Sequence, residues 1–226
     1  MRRLPILGLA LVLVATLLAG ASAVAAAPAA PDQGADPGRL SIVEIEGLID
    51  PVVADFIEES IAAGERSGVI AVVLQMDSAG SVVDDERLAE LARTIHDAKV
   101  PVTVWVGPAG SSALGGAAQL AGAADLLGLA PGSRLGKTGD LVVPEDLLSN
   151  GFLAAGERLE GGTVNDEDAR NLEIAPDRRV AVIGEFIIDL DGVETRTVTV
   201  EGKPQREPIS VPVFSVMVWI VFENSI

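Results

Sequence analysis

The sequence predicts an α/β protein built on a parallel sheet, and three observations predict it. The apolar runs "GVIAVVLQM" and "VPVTVWV" are rich in β-branched residues and do not alternate with polar ones. Strands covered on both faces read this way. Between and around these runs lie segments whose apolar residues recur at helical spacing. Strands that alternate with helices imply right-handed crossovers onto one sheet.

The elements follow in order. Residues 1–27 read as a signal peptide: "MRR" is a basic start, "LPILGLALVLVATLLAG" an apolar run, and "ASAVAAAP" offers cleavage after Ala23 or Ala27. An uncleaved anchor is the alternative, because the apolar run approaches the length of a membrane span. Either reading exports the remainder, to the extracytoplasmic face of the membrane or beyond it. Residues 28–39, "PAAPDQGADPGR" with its flanks, read as a disordered linker. The folded domain covers residues 40–192. It opens with a strand, "LSIVEIEG", ended by Gly47. A helix follows in which Asp50 caps, Pro51 takes the first position and Gly64 ends the run. Val53, Phe56, Ile57 and Ile61 share one face of it.

"GVIAVVLQM" is the next strand and "DSAGS" a turn. The second helix, "DDERLAELARTIHDA", buries Leu88, Leu91, Ala92 and Ile95. After "VPVTVWV" come a small-residue helix, "SSALGGAAQLAGAA", and a strand, "DLLGLA". Beyond Gly136 the chain reads as loops and helix fragments, then a strand leading into a helix within "RRVAVIGEFIIDLDG". Residues 193–226 form a last unit: a hairpin in "VETRTVTVEGKP" and an apolar tail, "VPVFSVMVWIVFENSI". That tail reads either as a truncated membrane segment or as a final buried strand.

Composition narrows the function. Sixteen Lys plus Arg against 33 Asp plus Glu leave a net charge of −17. Such a surface excludes nucleic acid as a partner, since phosphates need basic residues. No cysteine occurs, so there is no thiol nucleophile, disulfide or Cys-based metal site. The single histidine, His96, sits at the end of a helix, where it suits the dipole. The acidic residues after Gly136 show no ligand spacing and read as a solvated face. Neither a metal nor a cofactor is expected.

The order of loops carries a resemblance. A strand runs into "DSAGS", a strand runs into "GPAGSSALGG", and "LAPGSRLG" follows. Over residues 40–136 this resembles the ClpP/crotonase superfamily, and more narrowly the NfeD-type membrane-bound serine peptidases, which are similar also to signal peptide peptidase A. The resemblance implies a ClpP/crotonase-like spiral of βα units. It also implies membrane association, a homo-oligomer, and a peptide or membrane protein as partner.

The resemblance assigns a role to each loop. Amide hydrolysis needs a nucleophile, a base and donors aimed at the developing oxyanion. The family's first loop, D-[ST]-P-G-G, lines the oxyanion hole. Here it reads Asp77, Ser78, Ala79, Gly80, Ser81. Gly80, Ser81 and Gly115 are therefore the implied oxyanion-hole and substrate-binding residues. The family's nucleophilic Ser stands at a helix start before small residues. The resemblance puts Leu114 there, and leucine has no attacking atom.

Ser112 and Ser111 are fallback nucleophiles, with helix capping as the competing role. The ClpP-type base falls on Thr138. NfeD-type enzymes use a lysine further on, and no lysine occurs between Lys137 and Lys203. Arg158 cannot act as a base. Lys137 is the fallback base, though strand alternation turns it away from the neighbouring position. The resulting expectation is an exported peptidase homologue with impaired catalysis. The alternatives are an active serine endopeptidase using Ser112 or Ser111, and a crotonase-like acyl-binding protein. Export disfavours the last, because coenzyme A is largely cytoplasmic.

Overall fold

Asp50 and Asp84 start the first two helices by the same device. Asp50 Oδ1 accepts from the Val53 N–H at 2.9 Å, and Asp84 Oδ1 from the Arg87 N–H at 2.8 Å. Each bond satisfies a donor that a helix start leaves open. The structure, a computed structural model, describes residues 39–192, 194–200, 203–209 and 220–223. The expected signal peptide and most of the expected linker lie outside the described residues.

In chain order the elements are β1 (Leu40–Ile49), α1 (Pro51–Ser67), β2 (Ala71–Ser81), α2 (Asp85–Asp97), β3 (Val102–Val106), β4 (Ser112–Leu114) and α3 (Gly116–Gly122). β5 (Leu126–Leu129), β6 (Arg134–Gly136), a 3-10 turn (Glu145–Leu147), α4 (Asn150–Ala154), α5 (Gly156–Gly161) and β7 (Thr163–Val164) follow. α6 (Asp166–Asn171), α7 (Ile183–Asp189), β8 (Glu194–Val200), β9 (Lys203–Pro208) and β10 (Ile220–Glu223) complete the order.

β2 is the centre of an eight-stranded sheet. It lies parallel to β1 along its whole length. On its other side it pairs first with β3, from Val72 to Met76, and then with β4, where Ser78 lies opposite Ala113. The sheet therefore forks at Asp77. β5 extends the β3 branch in parallel, and β6 extends the β4 branch in parallel. β7 closes that branch antiparallel to β6. β10 adds in parallel to the outer side of β1, along Leu40 to Val43. The expected hairpin is present as the separate β8–β9 pair.

Both faces of the sheet are covered near its amino-terminal end. Val43, Val72, Leu74, Met76, Val102 and Val104 face a core shared with α1, α2 and α3. Leu40, Ile42, Val73 and Trp105 face a smaller core with Phe186, Leu190 and Ile209. Each such fully buried aliphatic contributes about 1.5–3 kcal/mol.

The structure corrects four local expectations. α1 does not end at Gly64. It runs to Ser67 and is closed by Gly68, whose φ of 63° is left-handed. Gly64 instead lets the helix press on the sheet, since a Cβ there would lie 2.6 Å from Val72 Cγ2. "DSAGS" is not a turn but the end of β2, with a register shift opposite Gly47 and Leu48. "SSALGG" is not helical either. Ser112 to Leu114 form β4, and the helix begins beyond them. Finally, no strand precedes α7. Residues 178–182 are irregular, and the Val180 carbonyl accepts from Trp105 Nε1 at 3.5 Å. Of the apolar tail, only Ile220–Glu223 and no part of residues 210–219 falls within the described residues. No helix among the described residues is long and apolar enough to cross a membrane.

Candidate functional site

β1, β2, β4 and β6 run parallel, so their carboxyl ends collect at one edge of the molecule. In α/β proteins this is the edge where ligands bind. The residues there are Leu48, Gly80 to Val82, Leu114 to Gly116, and Gly136 to Leu141.

The hinge between β4 and α3 is Gly115, with φ 57° and ψ −129°. L-residues reach such a conformation only with strain, and glycine reaches it freely. A side chain on residue 115 would point into the edge: its Cβ would lie 3.7 Å from Gly80 Cα and 3.9 Å from the Lys137 carbonyl oxygen. Leu114 is one residue short of this place, the last residue of β4 opposite Gly136. The helix-start position therefore belongs to Gly115 and not to Leu114. The Gly115 N–H donates to the Gly136 carbonyl at 3.0 Å. That amide is occupied by the sheet.

Gly80 and Ser81 divide the work of the first loop. Gly80 has φ 148°, a backbone state that favours glycine, and its N–H reaches Ser78 Oγ at 3.4 Å. Ser78 Oγ in turn donates to the Gly80 carbonyl at 2.9 Å. Ser81 continues β2 opposite Ile49 and has no positive φ, so serine fits there without backbone strain. Its side chain fills the space that a Cβ on Gly116 would need. Ser81 and Gly116 are thus matched in volume across the edge.

The remaining sequence candidates divide between backbone support and surface. Ser112 lies on β4, not at a helix start. Its N–H donates to Asp77 Oδ1 at 2.9 Å, and its hydroxyl reaches the same oxygen at 3.5 Å. Ser111 is buried, and its carbonyl accepts from the Arg134 N–H at 2.9 Å. Neither serine caps α3, which has no side-chain cap. Thr138 is buried and donates to the Gly139 carbonyl at 3.1 Å. Lys137 is exposed and follows β6 with φ 51°, so strand alternation does not govern its direction. His96 stands in the last turn of α2, away from this edge. Among the described residues no group of three or more His, Asp or Glu is placed to hold a metal.

Two polar residues that the sequence reading passed over organise the wall beyond β6. Gln119, 2% exposed, makes four hydrogen bonds. Its Nε2 donates to the carbonyls of Thr138 and Asp140, both at 3.0 Å. Its Oε1 accepts from the N–H groups of Val142 and Val143 at 2.9 and 3.0 Å. Asp166 opens α6 and anchors the "APG" turn, accepting from the Gly132 N–H at 3.2 Å and from Arg170 at 3.2 Å. Partial burial pushes the Asp166 carboxyl up, but the Gly132 amide and Arg170 outweigh it and leave it below the usual value. The sequence signal for Gln119 was a lone amide in an Ala-rich run. Asp166 had none, sitting in "VNDEDAR" among other acids.

Large apolar side chains gather at the same edge. Of six that are well exposed among the described residues, Leu48, Val52, Val82 and Leu141 lie at or just after the carboxyl ends of β1, β2 and β6.

No family model matches the chain. Its sequence is 24% identical over 143 residues to the membrane-bound protease PH1510 of Pyrococcus horikoshii, covering 59% of this chain and 31% of that one. The chain thus spans about a third of the length of the relative it matches. The structure is similar to the 1510-N membrane-bound stomatin-specific protease in complex with a substrate peptide, with TM-score 0.67, 16% identity, and coverage of 83% of this chain and 93% of that one. It is similar also to the 1510-N membrane protease specific for a stomatin homolog from Pyrococcus horikoshii, with TM-score 0.63, 17% identity, and 82% and 92% coverage. The sequence is thus similar to part of a membrane-bound protease, and the chain shares the curled, largely parallel α/β fold of the 1510-N structures.

Proposed function

We propose that this chain is a peptidase homologue that binds an extended peptide at the carboxyl edge of its sheet without cleaving it. One observation carries the reading. The place that faces both the Gly80 loop and the Lys137 backbone is held by Gly115, which has no side chain. A hydroxyl there would stand between the first loop and the wall; its absence leaves a backbone cradle with no attacking atom. Leu114 beside it supplies none. The exposed Leu48, Val82 and Leu141 around the cradle support an apolar peptide as ligand. The related proteases named for a stomatin-type substrate, one of them bound to a substrate peptide, support the same class. The expected export signal in residues 1–27 and the membrane-bound relative support action outside the cytoplasm at a membrane.

The active-enzyme alternative uses Ser112 or Ser111 as nucleophile. Asp77 holds both the amide and the hydroxyl of Ser112, which ties β4 to β2 at the fork. A fluorophosphonate probe tests the reading. The folded wild-type chain should label no more than a heat-denatured control, and Ser112→Ala and Ser111→Ala should change nothing. Labelling of the wild type that disappears in either variant would make that serine a nucleophile and end the proposal.

A further inference from the structure

We propose that Gln119 is a positioning residue that sets the far wall of the peptide cradle, an inference that rests on the peptide-binding reading above. Gln119 stands one turn into α3, four residues after the hinge Gly115. From there its amide reaches four backbone groups spread over Thr138 to Val143. Two donors meet two carbonyls and one oxygen meets two N–H groups, which uses the full capacity of a carboxamide.

The segment so held has no strand or helix of its own between Lys137 and Val143. Thr138 and Gly139 are tied to α5 through the carbonyls of Leu159 and Glu160, at 3.0 and 3.1 Å. Beyond Gly139, the Asp140 carbonyl and the Val142 and Val143 N–H groups bond to Gln119. Leu141, the exposed apolar residue of the wall, sits between Asp140 and Val142, and Gln119 holds both of those neighbours. The helix that begins at the hinge thus also fixes the distance from the hinge to Leu141. A buried amide with every group matched resists displacement, because loosening one bond strands another in a dry interior.

Two substitutions separate this role from general stability. Leucine at 119 keeps most of the volume and removes all four bonds. Glutamate keeps the acceptor for Val142 and Val143 but faces the Thr138 and Asp140 carbonyls with a lone pair. Protonated, it regains one donor. Burial and those carbonyls both disfavour its charged form, so its carboxyl titrates above the usual range.

The experiment follows amide exchange and binding of a fluorescent, Leu- and Val-rich peptide whose unlabelled end is capped and which carries no titrating side chain. In Gln119→Leu, Val142 and Val143 should exchange about tenfold faster while β1 and β2 amides stay unchanged, and peptide affinity should fall about tenfold. Gln119→Glu should bind like the wild type at acid pH and lose affinity as pH rises through its raised pKa, while the wild type stays level. Unchanged exchange at Val142 and Val143 overturns the inference, as does faster exchange with unaltered affinity, or a Gln119→Glu profile as level as the wild type. A wild type without saturable binding overturns the peptide-binding reading instead, and exchange alone then decides whether Gln119 holds the wall.

Discussion

The two ends of the central strand β2 are built by different means. Along Val72 to Met76 its side chains decide everything: Val72, Val73, Leu74 and Met76 are fully buried, between helices on one face and Trp105 and its neighbours on the other. From Asp77 to Ser81 the side chains recede and the backbone takes over, with Gly80, Gly115 and Gly136 at φ 148°, 57° and 139°. The first region needs apolar volume, which many sequences supply. The second needs particular backbone angles, which few residues tolerate. A chain can therefore lack a reactive side chain at the edge and still keep the edge's shape. Gly115 is such a case in the proposed reading: its backbone angles shape the cradle and it carries no side chain.

Three substitutions break or sharpen this contrast. The largest effect belongs to Gly136→Ala. Its φ is left-handed, and an added Cβ would collide with the Gly162 carbonyl oxygen and lie 3.0 Å from Thr163 Cα. Strain and overpacking each cost about 1–3 kcal/mol, so a loss of about 2–6 kcal/mol is expected in urea unfolding. A loss under about 1 kcal/mol would show that the β6–β7 contact yields, and that the edge is not held by backbone.

Asp166→Asn comes next. It removes the charge that meets Arg170 while an acceptor for the Gly132 N–H remains. A bond to a charged group is worth about 1.5–3 kcal/mol. Because the folded carboxyl titrates below its usual value, this stability is present above the unfolded pKa of about 3.9 and is lost as pH falls through the folded one. The gap between wild type and variant should therefore be constant near neutrality and close at acid pH. A gap that widens on acidification would mean that Asp166 does not titrate as a paired carboxylate.

The smallest effect belongs to Gly115→Ala. Its Cβ meets no atom closer than 3.7 Å, so only the backbone conformation is penalised. A cost of about 1–3 kcal/mol follows, measured by the same unfolding midpoint. A cost equal to that of Gly136→Ala would mean that the space at the hinge is not open, and the cradle would lose its physical basis.

How far the sequence could be read follows the same division. The cap Asp50, the apolar stripes of α1 and α2, and the strands around Val73 and Val104 depend only on near neighbours, and they stand as expected. Gly64 misled, because a glycine that ends a helix and one that admits a neighbouring strand look alike in sequence. β4 was hidden for a related reason. Three residues, Ser112 to Leu114, become a strand only through pairing with Ser78 on one side and Arg134 to Gly136 on the other. Reading it as helix placed the helix start ahead of Ser112, whereas α3 begins beyond Gly115.

The sequence by itself determined the βα order, the acidic surface and the absence of thiol chemistry. Each of these rests on composition or on spacing within one segment. Only the tertiary structure decided which residue faces the cradle, that Ser81 and Gly116 share one volume, and that Gln119 holds a wall some twenty residues away in the chain. Those are contacts between distant segments. Their register is set by the packing of the whole sheet and leaves no mark on the local pattern of any one stretch.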